Sequence, residues 1–86
     1  MYVVNTALVD ETIRNLPAFT RNQILDALDD IKQDPYHARN ARLMSGGYSG
    51  YYRCKVGDYR IMYDIQERRV TVLIMKIDRR DRVYRD

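Results

Sequence analysis

Gly57-Asp58 constrains this chain more than any other pair of residues. A Gly-Asp step between two runs of β-branched and aromatic residues reads as a two-residue hairpin loop, and so short a loop fixes the register on both sides. The runs "YYRCKV" and "YRIMYDI" then pair Val56 with Tyr59, Lys55 with Arg60, Cys54 with Ile61, Arg53 with Met62 and Tyr52 with Tyr63. Side chains alternate faces along a strand, so Tyr52, Cys54, Val56, Tyr59, Ile61 and Tyr63 share one face, which reads as core. The opposite face sets Lys55 against Arg60, with Arg53 two residues away. Like charges across a ladder repel, so this face asks for an anion.

The rest of the chain supplies what the hairpin packs against. "MYVVNT" is a short β-rich opening. Val9, Ile13 and Leu16 follow at helical spacing, and Pro17 stops that helix while suiting the first turn of the next. In the second helix Ile24, Leu25, Leu28 and Ile31 line one face, with Asp26, Asp29, Asp30 and Lys32 outside. Asp34-Pro35 ends it. The connector "YHARNARLMSGGYSG" carries His37, Arg39 and Arg42 and is not expected to be regular throughout. After the hairpin, "VTVLIMKI" is apolar on both faces, as an interior strand should be.

The expected architecture is α+β with element order β-α-α-β-β-β. Two N-terminal helices pack on one face of a small, mostly antiparallel β-sheet, and residues 1–86 form a single domain. The second face stays open with Arg53, Lys55 and Arg60. A two-residue Glu67-Arg68 turn would add Met62, Leu73 and Met75 to it. An open face that mixes cations with apolar side chains has the character of a binding surface.

Charge sharpens this reading. Residues 1–44 carry five Lys/Arg against six Asp/Glu, whereas residues 45–86 carry ten against six, so the net charge of +3 arises in the C-terminal half. Such asymmetry points to a polyanionic partner, commonly nucleic acid. His37 is the only histidine and Cys54 the only cysteine, so no zinc spacing, internal disulfide or Ser-His pairing is available. No metal or other cofactor is expected. His37 reads as a solvated loop residue, Cys54 as a buried inert thiol, and Ser45 and Ser49 as turn residues around Gly46-Gly47-Tyr48. The apolar runs are too short for a membrane span and the opening lacks the parts of a secretory signal, so the expected location is cytoplasmic.

"YYRCKVGDYRIMYDI" and "VTVLIMKIDRRDRVYRD" resemble the RelE branch of the RelE/ParE toxin superfamily. The resemblance covers the Gly-Asp-Tyr-Arg turn, the basic first strand, the terminal Arg-x-x-x-Tyr, the helices ending in "DP" and the "RLMSGGYSGYYR" lead-in. It implies a type II toxin that cleaves messenger RNA in the ribosomal A site and is neutralised by a cognate antitoxin in a toxin–antitoxin hetero-oligomer. Carried over by position, Lys55, Arg60, Arg80 and Tyr84 are the implied catalytic residues. Arg53, Arg79 and Arg82 are the implied RNA- and phosphate-binding residues. Arg79 stands where many relatives have histidine. A ParE-like toxin that binds DNA gyrase without cutting RNA is the second reading, and a catalytically silent RNA-binding module the third.

The chemistry is coherent on the residues alone. Metal-free RNA cleavage has the ribose 2′-OH attack its own 3′-phosphate, which needs a proton acceptor, charge stabilisation and help for the leaving 5′-oxygen. Arginine stays protonated, so Arg53, Arg60 and Arg80 act as electrostatic clamps. Lys55 is the one nearby amine able to titrate, as a general base must. Tyr84 could orient the 2′-OH, share the proton transfer or stack on a base, and the sequence leaves these roles open. A site without histidine or carboxylate would depend on the ribosome to align its substrate.

Overall fold

The computed structural model describes residues 1–79. Within them β1 (Val3–Asn5), α1 (Asp10–Arg14) and α2 (Ala18–Gln33) precede β2 (Ala41–Leu43), β3 (Tyr52–Val56), β4 (Tyr59–Gln66) and β5 (Thr71–Arg79). The five strands form one sheet in the order β1-β5-β4-β3-β2, with β1 parallel to β5 and every other pair antiparallel. The architecture is the expected helix pair on a mostly antiparallel sheet. It contains one strand more than expected, because β2 forms inside the connector and adds an edge beside β3. Among the described residues no helix is long and apolar enough to cross a membrane.

The helices are short where their sequence is poor and long where it is rich. Val9 and Leu16 flank α1 and are both buried, and the Thr6 hydroxyl donates to the Asp10 carboxylate (2.6 Å) at its start. Pro17 sits immediately before α2, where its missing N–H costs nothing. Ile24, Leu28 and Ile31 of α2 enter the core against Cys54, Ile61, Tyr63, Val72, Ile74 and Ile77. Leu25, expected on that face, is 46 % exposed, because its position lies about 100° around the helix from Ile24.

The β3–β4 register is the one that the Gly57-Asp58 loop requires, pair for pair from Tyr52↔Tyr63 to Val56↔Tyr59. Gly57 takes φ +56° at the first central position, the place a type II′ turn reserves for glycine. The β4–β5 connection differs from expectation. Glu67–Arg69 form a 3-10 turn and Val70 adopts a left-handed conformation (φ 48°), which moves the pairing to Gln66↔Thr71. An irregularity between Met62 and Tyr63 then shifts the register once more: Tyr63 faces Ile74, but Met62 faces Lys76. This extra residue on β5 corrects a parity conflict. Val72 and Ile74 are two apart and Ile77 is three further on, yet all three are buried in the core.

Tyrosines tie the loops to this frame. The buried Tyr63 hydroxyl donates to the Pro35 carbonyl (2.7 Å), fastening the chain that leaves α2 onto β4. Tyr52 stacks on Tyr63 and meets the edge of Tyr36. Tyr2 and Tyr36 both donate to the Glu67 carboxylate, which holds the chain start and the 3-10 turn together. Removing the Tyr63 hydroxyl leaves a buried carbonyl without its donor. Tyr63→Phe should cost about 1–2 kcal/mol, read as a lower urea midpoint at unchanged m-value.

Candidate functional site

The alternation that sends Cys54, Ile61 and Tyr63 into the core sends Arg53, Lys55 and Arg60 to the opposite face. Arg53, Lys55 and Arg60 line one cavity of about 380 Å³, together with Asn40 and Arg42. Arg42 comes from β2, where it pairs directly with Arg53, just as Lys55 pairs with Arg60. Four cations from three adjacent strands therefore converge on one surface. Such a concentration of positive charge lowers the cost of bringing an anion, or negative charge that develops during a reaction, to that surface.

Local geometry holds the lysine in place. Asn40 adopts a left-handed conformation (φ 65°), one that asparagine tolerates well, and its side-chain amide donates to the Lys55 carbonyl (3.3 Å). The Lys55 N–H returns a bond to the Asn40 carbonyl (3.4 Å). The Cys54 thiol donates to the Arg39 carbonyl (3.2 Å), so the start of β2 is pinned to β3 on both sides of the strand. Lys55 itself is exposed.

Arg60 differs from the solvent-facing clamp that the sequence alone describes: it is only 5 % exposed. A guanidinium in that position must be hydrogen-bonded, and its Nη1 donates to the Tyr59 carbonyl (3.2 Å). The 3-10 turn and the β5 irregularity set Asp78 opposite Arg60, where a two-residue Glu67-Arg68 turn would have set Met75. The same shift sets Lys76 opposite Met62 in place of Leu73. Leu73 stays on the open face opposite Asp64, while Met75 falls in the irregular stretch. This face is therefore more charged than expected and less open, since Met62 is buried beside Arg60, and it contains a carboxylate, Asp78, that sequence reasoning missed.

The remaining site residues are distributed unequally. Arg79 is exposed and stands opposite Tyr59, in register with the helix-side residues rather than with the cationic row. Arg80, Arg82 and Tyr84 lie outside the described residues. His37 is exposed on the connector, with its Nδ1 3.1 Å from the Asp34 carboxylate. Ser45 and Ser49 bracket the Gly46–Tyr48 turn. Among the described residues no three His, Cys, Asp or Glu side chains gather as they would to hold a metal.

With this geometry in view, the chain can be set beside known proteins. Residues 5–84 match the family model described as the ParE toxin of type II toxin–antitoxin systems (parDE). The chain belongs to that family, within the RelE/ParE toxin superfamily, and its fold is that of the RelE branch. The toxin–antitoxin complex RelBE2 from Mycobacterium tuberculosis contains a similar chain, with TM-score 0.77 and 25 % identity over 92 % of this chain and 98 % of that one. The archaeal RelE–RelB complex from Pyrococcus horikoshii gives TM-score 0.76 at 24 % identity, covering 94 % and 97 %. The intact E. coli RelBE complex gives 0.75 at 20 %, covering 92 % and 96 %. No curated protein sequence matches the chain.

Cys54 lies beneath this face without belonging to it. Burial, with the Asp30 carboxylate adding to it, pushes its thiol up to about 11. A thiolate is therefore disfavoured in the folded chain, so stability is complete below the ordinary thiol range of about 8.5 and declines as pH rises from there toward 11. The native protein should resist thiol labelling at pH 8 and label fully in urea. Cys54→Ala should flatten the loss of stability above pH 9, measured by chemical denaturation across the pH series.

Proposed function

We propose that this type II toxin is an endoribonuclease that cleaves messenger RNA in the ribosomal A site without a metal and so halts translation. The observation that carries this reading is the cavity that gathers Arg53, Lys55 and Arg60 on the sheet face opposite the helices. The similarity to RelE chains points the same way. The location that goes with this activity is the cytoplasm, where ribosomes and messages meet.

In this mechanism the 2′-oxygen attacks the adjacent phosphorus as its proton passes to Lys55, the general base. The P–O5′ bond breaks, leaving a 2′,3′-cyclic phosphate and a 5′-hydroxyl after the departing oxygen takes up a proton. Arg60, fixed by its burial and its bond to the Tyr59 carbonyl, meets the charge on the phosphorane without reorganising. Arg80 and Tyr84 complete the set by their position in the terminal motif, with Arg53 and Arg82 adding to the cationic approach. The ribosome supplies the alignment that this sparse set of groups lacks.

A cognate antitoxin is the expected partner, by analogy with the RelB–RelE complexes. An acidic segment suits the cationic face, because it would occupy the surface that RNA needs and form a toxin–antitoxin hetero-oligomer.

The second reading, a ParE-like toxin that binds DNA gyrase, is favoured by the family match. Programmed ribosomes and a defined message separate the two. Wild type should cut the message within the A-site codon, mapped by primer extension. Lys55→Ala, Arg60→Ala, Arg80→Ala and Tyr84→Phe should each slow cutting, by about 100-fold or more for the groups in contact with the phosphorane or the transferred proton. Lys55→Arg replaces the amine by a guanidinium that cannot take up the proton, and it should fail as Lys55→Ala does. Arrest of DNA synthesis with messages uncut would overturn the ribonuclease reading in favour of gyrase.

A further inference from the structure

We propose that Arg42 and Arg53 form a second phosphate subsite beside Lys55 and Arg60, so that the sheet grips two consecutive phosphates of one RNA strand. The proposal rests on the ribonuclease reading for the identity of the first, scissile phosphate. β2 is only three residues long, yet its register is tightly held: Ala41↔Cys54, Arg42↔Arg53, Leu43↔Tyr52. The two bonds between Asn40 and Lys55 fix where β2 begins. Ala41 packs against the core with Cys54. The next residue, Arg42, therefore points to the open face, where it is exposed and lines the same cavity as Arg53, Lys55 and Arg60.

Two like-charged cross-strand pairs thus lie side by side, Arg42 with Arg53 across β2–β3 and Lys55 with Arg60 across β3–β4. Along β3 the two pairs are offset by two residues, roughly 6.6–6.8 Å, and across the sheet by one strand spacing, about 4.8 Å. Their centres therefore lie about 8 Å apart, a distance that long side chains span. That offset suits successive phosphates of an extended single strand, which a cationic groove tracks along its backbone. The cavity lining is entirely polar or charged, so it fits a phosphodiester better than an apolar peptide side chain. Arginine at both positions adds the planar fork that matches phosphate oxygens.

Binding of short 2′-O-methyl oligoribonucleotides, which cannot be cut, tests this by NMR titration of the intact chain at low salt. A dinucleotide offers one internucleotide phosphate and a trinucleotide two, neither with terminal phosphates. Wild type should hold the trinucleotide more tightly. Arg42→Ala should lower trinucleotide affinity on the order of fivefold to tenfold and the salt slope by about 0.7, leaving the dinucleotide within about twofold of wild type. Arg42→Lys should restore most of the loss.

Equal wild-type affinities for the two oligomers, or an Arg42→Ala effect that is absent or equal on both, would overturn the subsite. If messages stay uncut on ribosomes while the difference between oligomers persists, the nuclease reading fails and the subsite stands. If messages are cut but Arg42→Ala changes neither affinity, the subsite alone fails.

Discussion

The β3–β4 hairpin is the constraint on which the rest of the molecule depends. Its type II′ loop at Gly57 fixes one register, and burial of Cys54, Ile61 and Tyr63 enforces it. A slip of one residue would carry these apolar side chains into water and the cations into the core. The energy that pins the register is therefore hydrophobic, while the property it positions is electrostatic. Apolar burial on one side of the sheet thus organises the cationic surface on the other.

The neighbouring strands turn that hairpin into a site. β2 adds Arg42 beside Arg53, held by the reciprocal bonds between Asn40 and Lys55. β5 adds Asp78 opposite Arg60 after its register shifts by one residue at Met62/Tyr63. Arg60 is consequently a buried, bonded group whose position is set before any substrate arrives. Lys55 is exposed on a fixed backbone. A rigid cation beside an accessible amine divides charge stabilisation from proton transfer, and that division gives the ribonuclease reading its chemical sense.

The second reading draws on the same surface. A gyrase-binding toxin and a ribonuclease of this fold can share the helix pair, the sheet and the hairpin, because fold does not fix function. What separates them is chemistry at a few positions. Lys55, Arg60, Arg80 and Tyr84 carry the catalytic reading, and the first two lie within the described residues, on adjacent strands that face one another.

Alternation and turn chemistry by themselves determined the helix pair, the β3–β4 register, the apolar face and the grouping of Arg53, Lys55 and Arg60. Each of these is a local property, written within a few residues of a Gly-Asp or a proline. Tertiary structure decided what depends on partners distant in sequence. A three-residue strand such as Ala41–Leu43 has too little periodicity to declare itself, and it exists because β3 offers an open edge. Asp78 stands opposite Arg60 only because the core takes Ile77 as well as Ile74, and two buried residues three apart oblige the strand between them to break its alternation.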